Sequence, residues 1–496
     1  MKSAPYDAIV IGSGFGGAAA AHTLAAAGRK TLVVERGGWA RRDDLDWNQR
    51  EILLKQRYRS ESPILVRQFE DRDYKKIYPN AIVGGMSVFY GGASLRLRPA
   101  DFARWPITYD DLESYYGKSE QLLGVHGEAG QDPFDPPRSQ DYAFAPIDFS
   151  APAQCIWAGA QKIGYRPFKI PLAINFSDAS RPLCIRCITC DGFPCKIEAK
   201  NDLTVTLLER GRKNGLDIMP GIVVKKLVQR SGRIIAAECV DKDSGRLFSL
   251  ESDLFIVAAG ALHSPALLLR SGLDGRCVGR YLMRHCNSVA SMVFPRRTNP
   301  EQVFHKQLCF SDFYEDMRGE LGTSVGVIQD IFSPPPEIIR HYAPRGFKRF
   351  AGLFATRIQN LLCIAEDDAQ YGNRVELASE VDAFGMQLTR VTHAYTADDY
   401  RRLGHLTDKA RRVLRAAGGL IPYSYRVDSF SHAVGSVRCG TDPQESALDP
   451  DCKFRGMDNL YVLDGSFMPT SGGVNPSLTI AANAFRVADR IIERGE

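Results

Sequence analysis

The chain has 496 residues, 44% of them apolar and 24% charged. That is too long for one compact core, so two or more domains are expected. The formal charge of +5 is small, and no basic stripe with interleaved aromatics appears, which excludes a nucleic-acid footprint.

No apolar run reaches the ~18 residues of a membrane helix. The best one, LFIVAAGALHSPALLL, is interrupted by His263 and Pro265. The start, MKSAPYD, carries no cleavable apolar segment before the first motif. A cytoplasmic location is therefore expected. The twelve cysteines then read as reduced thiols or ligands, not as a disulfide framework.

In chain order, DAIVIGSGFGGAAAAHTLAAAGRKTLVVERG is the first strong signal. AIVI predicts a buried strand, Ala18 to Ala27 a helix of small residues, and TLVV a second strand ending at Glu35. Gly12, Gly14 and Gly17 have G-x-G-x-x-G spacing. Gly12 permits the tight turn, Gly14 lets a pyrophosphate approach the backbone, and Gly17 lets helix and strand pack closely. The helix N-terminus offers free amides to phosphate. Glu35 can accept from a ribose hydroxyl, and an acid there disfavours NADP. The motif predicts dinucleotide binding without choosing FAD over NAD.

The mixed run at 40–61, ARRDDLDWNQREILLKQRYRSE, predicts a solvated helix face. Residues 82–99, IVGGMSVFYGGASLRLRP, hold two Gly pairs that would let backbone approach a flat or charged ligand. Cys184, Cys187, Cys190 and Cys195 follow with C-x2-C-x2-C-x4-C spacing. Three readings stand: an iron–sulfur cluster, whose ferredoxin runs have similar spacing, a zinc site, or a reduced thiol-rich loop. SDLFIVAAGALHSPALLLRSG, 252–272, predicts a strand and a helix starting at Ser264-Pro265. Residues 293–425 lack Gly-rich signatures and read as a substrate domain. Near the end, YVLDGS delivers Asp464, Gly465 and Ser466, and TSGGVNPSLTIAANAFRVADRII leads into an amphipathic helix.

These segments, with RWPITYDDLESYY (104–116), VGRYLMRH (278–285) and SHAVGSVRCG (431–440), resemble the glucose–methanol–choline oxidoreductase family over nearly the whole chain. The resemblance implies an α/β flavoenzyme. A Rossmann-type FAD domain is expected from 1–100, 196–292 and 426–496. A sheet-and-helix substrate domain is expected from 101–195 and 293–425, carrying the Cys-rich loop 184–195. The resemblance also implies that an alcohol is oxidised by hydride transfer to flavin, with His432 as base and Asn475 as its polar partner. Asn at the second position is similar to pyranose oxidases and sugar dehydrogenases. A histidine titrating near neutrality can take a hydroxyl proton, and an amide can orient that hydroxyl.

The expected cofactor set, from motif and resemblance together, is Gly12, Gly14, Phe15, Gly17, Glu35, Arg36, Gly85, Ser87, Val224, Ala259, Asp464, Gly465, Asn475 and Pro476. Phe89 stands where pyranose oxidases carry the histidine that bonds flavin covalently, so non-covalent FAD is expected. The substrate expected is a small polar alcohol: a sugar, aminosugar, glycoside or cyclitol. The electron acceptor is O2 or an external redox partner, the latter if the thiols hold iron–sulfur. His263 and His285 are expected to be structural. The rival readings are an FAD lyase without net redox, a flavin or iron–sulfur electron carrier, and an NAD-dependent dehydrogenase.

Overall fold

Runs of β-branched residues with no polar face, such as AIVI and TLVV, make strands buried on both sides. The computed structural model describes residues 6–68, 71–303, 306–334, 336–342, 348 and 352–496. The elements that build the site begin with β1 (Tyr6–Ile11), α1 (Phe15–Ala26) and β2 (Thr31–Glu35). The middle of the chain adds β3 (Asp217–Pro220), β4 (Ser252–Val257), α2 (His263–Arg270), β5 (Cys286–Val293), β6 (Gly326–Ile331) and β7 (Ile358–Ala365). The C-terminal part gives α3 (Ala397–Ala416), β8 (Ile421–Arg426), β9 (Leu460–Val462) and α4 (Ser477–Glu493).

Five strands form a parallel sheet in the order β9-β4-β1-β2-β3. Ala8 of β1 sits between Thr31 and Leu254. This is the expected Rossmann-type α/β sheet, and both ends of the chain contribute strands to it. A three-stranded antiparallel sheet, Ile222–Arg230 with Arg233–Asp241 and Leu247–Leu250, follows β3 directly in sequence.

A six-stranded antiparallel sheet has the order β8-β5-β7-β6, then Leu308–Phe310 and Phe168–Lys169. Helix α3 covers one face, where Leu406, Ala410 and Val413 share a core with Ile328, Leu361 and Cys363. Thr396 and Asp399 cap this helix reciprocally, each side chain accepting the other's backbone N–H. A four-stranded sheet joins Ile64–Gln68 and Lys75–Ile77 to Arg374–Val381 and Gln387–His393. Among the described residues no helix is long and apolar enough to cross a membrane.

Two expectations need correction. The boundary placed after 292 cuts β5, which is paired along its whole length in the six-stranded sheet. Likewise 64–77, assigned to the FAD domain, pairs with strands of 374–393. Strand patterns reveal burial but not which sheet receives the strand. The run 40–61 is not one solvated helix. It holds short helical turns at Asp44–Trp47 and Arg50–Leu54, and Asp46 is fully buried, paired with Arg57 at 2.9 Å. Arg42 likewise reaches Asp202 at 2.8 Å and the Cys195 carbonyl at 2.7 Å.

The Cys-rich segment docks on the Gly-rich loop at 84–92. Gly192 N–H donates to the Phe89 carbonyl at 2.7 Å. The buried Lys200 ammonium donates to three carbonyls: Val88 at 3.0 Å, Cys190 at 2.8 Å and Phe193 at 2.7 Å. Asp191 pairs with Lys306 at 2.8 Å.

Lys200→Met would strand those carbonyls, each at a cost of about 1–3 kcal/mol. Urea unfolding is expected to show a loss of about 3 kcal/mol or more; an unchanged midpoint would remove Lys200 from its structural role. Glu366 gives a pH-dependent case. It is buried and accepts from Ser324 N–H at 2.9 Å, and burial, then Asp101, push its carboxyl up from 4.5 to about 7. Between those values the unfolded chain releases a proton that the folded chain keeps. Stability therefore falls as pH rises through this window, by about 3 kcal/mol for this group. Glu366→Gln is expected to flatten that slope when unfolding is measured at both ends of the window.

Candidate active site

Helix α1 begins at Phe15 with Gly14 as N-cap, no side-chain cap and no acid in its first turn. Its first amides are thus open to an anion. A Cβ on Gly14 would meet nothing within 4 Å. The neighbouring glycines are crowded by backbone: a Cβ would lie 2.3 Å from the Ala258 carbonyl oxygen at Gly12, and 2.0 Å from the Gly12 oxygen at Gly17. Gly16 is tighter still, 1.4 Å from the Leu463 oxygen. Its role was missed because the G-x-G-x-x-G spacing does not include it.

The second Gly-rich loop closes over the first. Gly85, at φ +55°, would set a Cβ 3.1 Å from the Gly14 Cα. Ser13, also missed, ties the parts together: its hydroxyl accepts from Gly84 N–H at 2.9 Å and donates to Glu35 at 2.7 Å. The Glu35 carboxylate accepts as well from Ser13 N–H at 3.1 Å and Gly37 N–H at 2.8 Å. Arg36 is partly exposed, but its Nε is buried and lacks a partner, and burial lowers its guanidinium pKa. Asp464 accepts from Gly260 N–H at 2.9 Å, from the Ser264 hydroxyl and from Ser466 N–H at 2.8 Å. It thereby joins the β4–α2 turn to the turn after β9. Ala259 N–H donates to Ser264 at 3.0 Å beside Gly12. Gly465 has Ala433 and Val434 against it and accepts from Gly435 N–H at 3.0 Å, which couples the cofactor turn to the loop of His432. Open helix amides, empty space at Gly14 and an unpaired buried arginine nitrogen fit the phosphates of a dinucleotide.

The other expected positions have protein neighbours of their own. Ser87 is fully buried, and its hydroxyl is spent on the Gly84 carbonyl at 2.7 Å and Leu203 N–H at 3.1 Å. It therefore shapes the loop and offers no hydroxyl to a ligand. Val224 is paired with Cys239 within the three-stranded sheet. Phe15 lies edge-on to Tyr90 at 5.4 Å. Phe89 packs with Ile82 and Val88. Pro476 caps α4, whose first turn has no side-chain cap. His263 is pushed down to about 3 by burial, then by Arg36 and Arg270.

His432 and Asn475 come together although 43 residues separate them: Asn475 Nδ2 lies 3.4 Å from His432 Nε2. Gln329 of β6 donates to Asn475 Oδ1 at 2.6 Å, so one face of the six-stranded sheet lies over the pair. Burial, then His285 and Lys306, hold His432 well below its ordinary 6.5, against the pull of Asp367. His285, expected to be an ordinary structural histidine, touches the pair instead. Its Nδ1 is 2.9 Å from His432 Nδ1. No residue pattern in VGRYLMRH signalled this contact; in the structure His285 takes φ +62°, a conformation costly for a residue with a Cβ.

The four clustered cysteines do not fit a metal. Among the described residues no three His, Cys, Asp or Glu side chains gather to hold an ion. Cys187 Sγ accepts from Thr189 at 3.4 Å, and Cys184 Sγ from Arg186 N–H at 3.4 Å. Burial pushes the Cys184 thiol up to about 11 and Cys190 higher. Of the three readings of Cys184, Cys187, Cys190 and Cys195, these contacts support the reduced thiol-rich loop, and the iron–sulfur reading finds no support. Spacing alone says nothing of where the sulfurs point.

Curated relatives align along almost the whole chain. The 6'''-hydroxyparomomycin C oxidase of Streptomyces lividus is 31% identical, covering 98% of this chain and 91% of the relative. Paromamine 6'-oxidase of Streptomyces fradiae is 29% identical with the same coverage. The 2-methyl-1,2-propanediol dehydrogenase of Mycolicibacterium austroafricanum is 25% identical over 98% of this chain and 95% of its own. Among solved structures, pyridoxine 4-oxidase from Mesorbium loti superposes with a TM-score of 0.69 at 19% identity, covering 98% of this chain and 99% of that one. The GMC oxidoreductase family models match residues 6–287 and 369–484. The chain belongs to the GMC oxidoreductase family.

Proposed function

We propose that this protein oxidises a CH–OH group of a sugar or aminosugar, with FAD held non-covalently. The observation that carries the reading is the His432–Asn475 pair beneath a polar sheet face. FAD supplies the hydride acceptor when bound. The chain's own part is to bind, orient and deprotonate the alcohol. A hydroxyl at the pair donates to His432 and accepts from Asn475 Nδ2. Because His432 is held well below 6.5, it is neutral and ready to act as a base near pH 7. Gly12, Gly14, Gly16 and Gly17, the α1 amides and Arg36 would hold the dinucleotide.

The sheet face supports a polyhydroxylated substrate. Register puts Asn287, Ser291, Gln329, Asn360, Tyr423 and Tyr425 on one face. Gln329 Oε1 and Asn287 Oδ1 are buried without partners, leaving acceptors for hydroxyl or ammonium donors. Exposed Tyr423 and Tyr425 offer ring faces to a sugar or a cation. The aminoglycoside oxidases among the relatives point to the same class.

Anaerobic addition of sugars, aminosugars and cyclitols is expected to bleach the flavin, with paromamine in the panel. Flavin that dithionite but no alcohol bleaches would favour the lyase or carrier reading. His432→Ala is expected to slow bleaching by about a hundredfold or more. The wild-type rate should not fall as pH is lowered to 6.5, since the base titrates below that value. Acid precipitation should release all the flavin, because Phe89 offers carbon where a covalent link would need a nucleophile. Re-oxidation by air, compared with an added quinone, separates oxidase from dehydrogenase.

A further inference from the structure

His285 is a wholly buried ring whose three polar contacts are all defined. Its Nε2 faces two main-chain carbonyls, Ser471 at 3.1 Å and Gly472 at 2.9 Å. Carbonyls only accept, so Nε2 carries a proton. In the neutral ring Nδ1 is then a lone pair. The group opposite it, His432 Nδ1 at 2.9 Å, must therefore be the donor. With its proton on Nδ1, neutral His432 has its lone pair on Nε2, the nitrogen that faces Asn475.

We infer that His285 is a positioning residue that locks His432 in the Nδ1–H form, so that Nε2 is the proton acceptor in every resting molecule. The inference rests on His432 being the base. The other end of the chain of bonds agrees. Gln329 donates to Asn475 Oδ1 at 2.6 Å, which turns Nδ2 towards the His432 lone pair at 3.4 Å. From the Gly-rich loop to the sheet, each bond has one direction, and none leaves His432 free to exchange tautomers. When a substrate hydroxyl binds, its O–H bond breaks, the proton goes to Nε2, and the imidazolium keeps its Nδ1–H on His285.

The backbone holds His285 in place at a cost. Its φ is +62°, and Asp367 accepts from both Arg284 N–H at 2.9 Å and His285 N–H at 3.0 Å. Tyr395 donates to the His285 carbonyl at 2.6 Å. The charged groups around the two rings are Asp367 and Lys306. Asp367 carries the negative charge nearest the imidazolium that forms.

The deciding measurement is the 15N spectrum of the flavin-loaded enzyme labelled only at its nine histidines, with His432 assigned by its loss in His432→Ala. Above its pKa, His432 is expected to show a protonated Nδ1 and a bare Nε2. The reverse pattern would overturn the inference, and this arm needs no variant at position 285. His285→Asn keeps an acceptor near the Nδ1 place and suits positive φ, so it should preserve the Nδ1–H form. His285→Leu, which offers no acceptor, should release it to Nε2–H and slow flavin bleaching about tenfold or more, with substrate affinity unchanged and the Asn variant restoring most of the rate. An Nδ1–H signal that persists in a folded His285→Leu protein would also overturn the inference. If His432→Ala abolishes bleaching while wild-type His432 is Nε2–H, the base reading stands and the role of His285 falls.

Discussion

The close approach of backbone to backbone around α1 is the constraint on which the rest depends. The helix starts where β1 ends and runs across the carboxyl ends of β4 and β9, with the Leu463 and Ala258 carbonyls filling the places of two side chains. Only glycine at positions 12, 16 and 17 allows that crossing. Its consequence is electrostatic: the first amides of α1 are brought, uncapped, to the edge of the sheet, where an anion can complete them. Gly85 then rests on Gly14, so the second loop takes its position from the first.

From that edge, order is passed to the His432–Asn475 pair through main-chain contacts. Asp464 fixes the turn after β9, and Gly465 carries its carbonyl to Gly435, three residues past His432. The loop with Asn475 comes from the same C-terminal stretch and ends at the uncapped start of α4. His285 stitches these pieces to the six-stranded sheet, since it precedes β5 and binds carbonyls 471 and 472. A change in the sheet would thus reach the pair through Gln329 and His285, two short paths.

The Cys-rich segment shows how little a local pattern decides. Four thiols in twelve residues left ligands and a plain thiol-rich loop both open, because spacing is all that a sequence displays. In the fold the segment is held by charge and amides instead. The Lys200 ammonium gathers three carbonyls, and Asp191 meets Lys306 against Gly91. No residue pattern announced that lysine: the second Lys in KIEAKND looks like a solvated surface residue, and its burial follows from carbonyls that converge only after folding.

What the residues alone determined is the nucleotide half. Glycine spacing, buried strands and the acid at Glu35 are local features, and their physics is local: turn geometry, strand burial and helix amides act within about thirty residues. The family resemblance, read from motifs along the whole chain, added His432 and Asn475. The tertiary structure decided what depends on distant segments meeting. It assigned β5 to its sheet, set Gly16 against Leu463, spent the hydroxyl of Ser87 inside its loop, and placed His285 against His432, 147 residues away. Contacts of that kind leave no period or spacing in the chain, because each partner is chosen by packing geometry rather than by its neighbours in sequence.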